Sequence, residues 1–139
     1  DDLYINIPEG LFCNCSNLKF DYDKFAATKI VGKSSLAGTS IDTIKYFKKL
    51  EKIESYGFGW CKKIKEILIN ENIKTVGFKA FTSCINLEKV VIFNDIQSVD
   101  FGAFSSCENL KDITRFIKKE RLINGSWIKY FIKSEYGKY

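Results

Sequence analysis

The sequence predicts a mainly β solenoid: a right-handed stack of five coils of 23 residues, with little helix, closed by a C-terminal cap. Three observations predict it. Cys61, Cys84 and Cys107 are spaced 23 residues apart. Apolar columns on either side of them keep the same period. The formal net charge of +5 lies entirely within the last 25 residues, which separates a repeat segment, 1–114, from a basic tail, 115–139. The length of 139 residues suits one domain. With 45% apolar and 28% charged residues the profile is globular rather than disordered. No apolar run approaches the ~18 residues of a membrane-spanning helix. The first residues are Asp1-Asp2 rather than Met, as expected of an excised or processed chain.

The repeat unit is defined by its columns. Three residues before the cysteine stand Phe12, Ser35, Phe58, Phe81 and Phe104, and three after it Leu18, Ile41, Ile64, Leu87 and Leu110. Eight before it come Ile7, Ile30, Ile53, Val76 and Val99, and six after it Asp21, Ile44, Ile67, Val90 and Ile113. The cysteine column itself reads Cys15, Gly38, Cys61, Cys84 and Cys107, so the period reads as unbroken by insertions. Coil two is irregular at Ser35 and Gly38, with Leu36 available for the Phe slot. Val90, Val91 and Ile92 alternate as a strand with one buried face. Equivalent strands stack in parallel at ~4.8 Å, and no coil buries its apolar face without a neighbour. Coil one breaks phase: Asp21 and Asp23 fall where the core is expected. A one-residue slip would turn Leu18, Phe20 and Tyr22 inward and both carboxylates outward.

Beyond residue 114 the period fades. Val99 maps to Leu122, Gly102 to Gly125 and Phe104 to Trp127, but Cys107 maps to Tyr130 and Leu110 to Lys133. A degenerate sixth coil acting as a polar cap is expected. An amphipathic strand pair or helix over Trp127–Tyr136 would cover the open end equally well.

The clearest unit, Ile73 to Ile92, resembles the BspA-like class of leucine-rich repeat, whose unit runs I-x-x-I-x-x-x-A-F-x-x-C-x-x-L-x-x-I-x-I-P. The resemblance spans about residues 4–114 and is sharpest in coils three to five. The usual Pro is replaced by Lys24, Phe47, Asn70, Phe93 and Phe116. The resemblance implies a leucine-rich-repeat solenoid. It also implies a non-enzymatic surface or secreted protein that binds a protein partner, such as a host or matrix protein, in adhesion.

Chemistry has little to assemble from. There is no His in the chain, which removes the commonest general base and metal ligand. No enzyme, metal or cofactor is expected. Cys15, Cys61, Cys84 and Cys107 read as a ladder of small buried thiols, with Cys13 outside it. Cys13-Asn14-Cys15 lacks the second ligand pair that zinc needs. Gly57-Phe58-Gly59 occupies a repeat turn and lacks the glycines and helix of a phosphate loop. Asn14-Cys15-Ser16 and Asn124-Gly125-Ser126 match the glycosylation tripeptide.

Two surfaces remain. Variable strand positions on the inner curve form the candidate partner-binding face: Thr43, Lys45, Phe47, Glu66, Leu68, Lys89, Val91, Phe93, Asp112 and Thr114. They mix charges with apolar residues, as a protein-binding surface does; alternatively, Phe47 and Phe93 tuck under the strand edge in place of the family's Pro. The competing surface is the tail, where Arg115, Lys118, Lys119 and Arg121 lie near Phe116, Trp127, Tyr130 and Phe131. It reads either as a solubilising cap or as a binder of nucleic acid or another anionic ligand.

Overall fold

The computed structural model describes residues 2–93, 98–100 and 102–135. A one-turn helix, α1 (Asp2–Ile5), leads into a solenoid of about five turns with no helix among the described residues of its coils. Each coil contributes a two-residue strand to a parallel five-stranded sheet: β1 (Asn6–Ile7), β2 (Ile30–Val31), β3 (Lys52–Ile53), β5 (Thr75–Val76) and β7 (Ser98–Val99). A second sheet runs in the order β4 (Glu66–Ile69), β6 (Lys89–Phe93), β8 (Asp112–Ile123), β9 (Ser126–Glu135). The inward residues of both sheets, among them Ile53, Val76, Ile67 and Val90, share one continuous core.

Packing follows the columns. Phe58, Phe81 and Phe104 stack through the interior with centroid separations of 5.3 and 5.5 Å. Truncating one would leave a cavity costing about 3–5 kcal/mol. The first end of the stack has no preceding coil, and an aromatic cluster fills it. Phe20 lies 4.6 Å from Phe25 and 5.5 Å from Phe47, and Tyr4 lies 5.2 Å from Phe25. The expected slip in coil one is present: Leu18, Phe20 and Tyr22 are half-buried while Asp21 and Asp23 are exposed.

Coil two corrects the expectation of an unbroken period. Ile7 pairs with Val31 and Val31 with Ile53, steps of 24 and 22 residues, before steps of 23 resume. Val31 rather than Ile30 therefore faces the core, and Leu36 fills the Phe slot. Thr39, not Gly38, stands in the cysteine column, where it is buried beside Cys61. Ile41 and Ile44 are buried in their expected places, so one residue gained before Val31 is given back between Thr39 and Ile41. The shifted register demands Gly32: a Cβ there would stand 2.3 Å from the Ile7 carbonyl oxygen.

The second sheet is shorter than five rungs. Coils one and two have turns and irregular backbone where β4 and its successors run. The parallel coiling also stops after β8. β8 and β9 form an antiparallel hairpin, with Asn124 (φ 49°) and Gly125 (φ 78°) at its turn, the left-handed pair of a tight two-residue hairpin. Thus Leu122 and Trp127 lie on the hairpin, exposed, rather than in the slots of a sixth coil. Over Trp127–Tyr136, where a strand pair or a helix was expected, a single strand, β9, runs as far as Glu135 and pairs back onto β8; Tyr136 lies outside the described residues.

Candidate interaction surface

In β4 and β6 the residues Ile67, Ile69, Val90 and Ile92 point into the core, which leaves the alternate positions to solvent. Pairing aligns these positions across coils. Glu66 faces Lys89 and Lys89 faces Asp112; Leu68 faces Val91 and Val91 faces Thr114; Phe93 faces Phe116. Glu66, Lys89 and Asp112 thus alternate in charge from rung to rung, and like charges never sit directly opposite one another. The preceding row, Lys65, Glu88 and Lys111, alternates with the opposite phase and is exposed. Beside these charges Leu68 is 44% exposed. Phe93 stacks on Phe116 at 4.9 Å with an interplanar angle of 13°.

The structure brings together six of the ten expected residues: Glu66, Leu68, Lys89, Val91, Phe93 and Asp112. Thr43 and Lys45 lie in coil two, which has no strand there. Thr43 Oγ1 accepts the Lys45 N–H at 3.2 Å, and Lys45 Nζ sits 4.9 Å from the centroid of the exposed Tyr46 ring. Two residues are corrections. Phe47 is buried; lacking a strand to hold it outward, it turns in against Phe20, Tyr22 and Phe58. Thr114 is also buried. It pairs with Val91 on one side and Glu135 on the other, and its hydroxyl donates to Asp112 Oδ1 at 3.1 Å. Phe116 belongs to the surface instead; its place in the column nine after the cysteine, shared with Phe93, was the available signal.

Three of the thiols join neighbouring coils. Cys61, Cys84 and Cys107 donate to the carbonyls of Leu36, Phe58 and Phe81 at 3.2, 3.3 and 3.1 Å, each in the preceding coil. Burial pushes Cys61 from 9.0 up to about 11. Contact with the Cys107 thiol, together with burial, holds Cys84 well above the ordinary range. Neither has the depressed pKa of a nucleophile. The expectation for Cys15 is corrected: it is exposed, as is Cys13. Coil one has no earlier coil whose carbonyl and side chains would enclose its thiol. An asparagine column works alongside the cysteines, with Asn86 and Asn109 donating to the carbonyls of Lys62 and Ile85 at 2.7 Å. Asn86 and Asn109 recur 23 apart, two residues after the cysteine, but their role showed only in the bonds.

Among the described residues no group of His, Cys, Asp and Glu is arranged to hold a metal ion. Gly57 packs in the coil wall, where an added Cβ would lie 3.0 Å from Ile53 Cγ2. A shallow concavity of about 430 Å³ crosses the first sheet at Lys52, Thr75, Gly77 and Asp100. Lys52 Nζ lies 3.7 Å from Glu54 there, and Asp100 Oδ1 accepts the Gly102 N–H at 3.1 Å.

A family model described as BspA type leucine rich repeat region matches residues 29–126 in six copies. The match begins at coil two, past the phase-slipped first coil, and ends within the hairpin. No curated protein and no solved structure matches the chain at a significant level.

Proposed function

The chain belongs to the BspA-type leucine-rich-repeat family, and on that premise we propose that it is a non-enzymatic protein-recognition module of a surface or secreted protein acting in adhesion. The observation that carries the reading is the solvent face of the second sheet. There Leu68 and Val91 form an apolar strip, flanked on one side by Glu66, Lys89 and Asp112 and on the other by the stacked pair Phe93 and Phe116. A rigid β surface with apolar anchors inside a polar rim is the composition of a protein interface.

The test is capture of host matrix proteins by the immobilised chain at low and at high salt. Retention at high salt that is lost on Leu68→Asp or Val91→Asp supports the reading. Leu68 is exposed and Val91 half-buried on the outward row, and circular dichroism checks that the coils remain. Absence of capture from both matrix and cell-surface preparations would leave a spacer and retire the adhesion reading.

A further inference from the structure

The basic hairpin holds a second feature, independent of the strand face. Among the described residues β8 pairs with β6 as far as Phe116, and from Ile117 to Ile123 with β9. Residues 119–128 are all exposed. The last three rungs pair Arg121 with Ile128, Leu122 with Trp127 and Ile123 with Ser126. Trp127 is 68% exposed, Leu122 55%, Ile128 45% and Ile123 41%. By strand alternation, Leu122 and Trp127 lie on one face of the ribbon, and Ile123 and Ile128 on the other. Four large apolar side chains at one tip, split between opposite faces, cannot bury one another. A groove on a protein partner would cover one face; a lipid interface surrounds both.

Charge points the same way. Residues 115–139 carry seven Lys and Arg against Glu120 and Glu135. Lys118, Lys119 and Arg121 stand behind the apolar tip on β8, and Lys129 and Lys133 follow it on β9. Trp is the side chain most at home between headgroups and acyl chains, and basic residues are drawn to anionic lipid. A nucleic-acid groove would use the same cations but would gain nothing from Ile123 and Ile128 on the face away from Trp127. We infer that the β8–β9 hairpin is a membrane-docking arm whose tip, Leu122, Ile123, Trp127 and Ile128, enters the interfacial layer of an anionic phospholipid bilayer.

The test uses the full chain with vesicles of phosphatidylcholine alone or mixed with phosphatidylglycerol. Sedimentation with the mixed vesicles is expected, together with a blue shift of tryptophan emission that Trp127→Ser abolishes. Leu122→Ser with Trp127→Ser should weaken binding by more than about tenfold, and Lys119→Ala or Arg121→Ala by roughly fivefold each. All four side chains are exposed, so the fold is retained, as circular dichroism would verify. The inference is overturned by no binding to mixed vesicles. It is equally overturned by vesicle binding that the tip variants leave intact, which would be plain electrostatic attraction. Tight binding of a single-stranded oligonucleotide in place of vesicles would assign the arm to nucleic acid instead.

Discussion

The Cys84 thiol donates a hydrogen bond of 3.3 Å to the carbonyl of Phe58, 26 residues earlier and one coil back. This bond explains the residue type at the column. The slot is small, fully enclosed, and faces a backbone carbonyl of the neighbouring coil that needs a donor; a thiol supplies both a compact apolar body and a weak donor. Cys84→Val fills the volume but leaves that acceptor without its partner, and should cost about 1–3 kcal/mol. Cys84→Ser keeps the donor and should cost less. Urea unfolding of the two variants ranks them, and a Val variant as stable as the parent would show the bond to be dispensable.

Thiol accessibility follows from the same geometry. Cys13 and Cys15 are exposed and Cys61 and Cys84 buried, with Cys107 between these extremes. Titration of the native protein with an aromatic disulfide reagent should find two fast thiols. Cys107 should react slowly, and Cys61 and Cys84 only on unfolding. Cys13→Ser should remove one fast equivalent and Cys15→Ser the other. Fast reaction of Cys61 would contradict the inter-coil ladder.

The difference between Cys15 and Cys84 shows what was legible in the sequence. Period, inward columns and the phase slip of coil one are properties of a repeated pattern, and Leu18, Phe20 and Tyr22 could be placed from alternation alone. Enclosure is a property of neighbours: Cys15 matches its column but lies at the end, where no earlier coil covers it. The one-residue excursion through Val31, Leu36 and Thr39 was hidden because it restores itself by Ile41, leaving the flanking columns in phase. The hairpin was hidden for another reason. Trp127 and Leu122 fall on repeat positions by count, while Asn124-Gly125 between them encodes a reversal of the chain. On the interaction surface, alternation placed Leu68 and Val91, but Thr114 was lost to the returning strand.

Gly32 is where that excursion is tightest. Its N–H donates to the Ile7 carbonyl at 2.9 Å, and a Cβ would meet the same oxygen at 2.3 Å and the Glu9 nitrogen at 3.0 Å. All of these are backbone atoms, so no side chain can move aside. Gly32→Ala should separate coil one from coil two and cost about 3 kcal/mol. Gly10→Ala is the control: a Cβ there meets nothing within 4 Å, but φ is +69°, so only the left-handed penalty of about 1 kcal/mol applies. Urea midpoints measure both, and hydrogen exchange should place the loss for Gly32→Ala at β1 and β2. Equal effects of the two substitutions would reject the close approach as the cause.

Alkaline pH should unfold the chain through groups that hold their protons in the folded state. Burial, and then the charge of Asp42, push Tyr22 from 10.0 up to about 12; its hydroxyl donates to Asp42 Oδ1 at 3.2 Å. Burial raises Cys61 from 9.0 to about 11. In both cases the unfolded chain releases the proton at the lower pH, so the folded state binds more protons across the interval and stability falls as pH rises. The contribution of Cys61 is complete below pH 9 and lost by about 11, and that of Tyr22 is complete below pH 10 and lost by about 12. The urea midpoint should therefore be level up to about pH 9 and then decline. Tyr22→Phe has no phenol to ionise and should flatten the upper part of the decline, between pH 10 and 12. Asp42→Asn removes the neighbouring charge, so that upper part should still begin near pH 10 but end at a lower pH and be smaller. A midpoint unchanged through pH 12, or a Tyr22→Phe curve that overlays the parent, would show that neither proton is held by the fold.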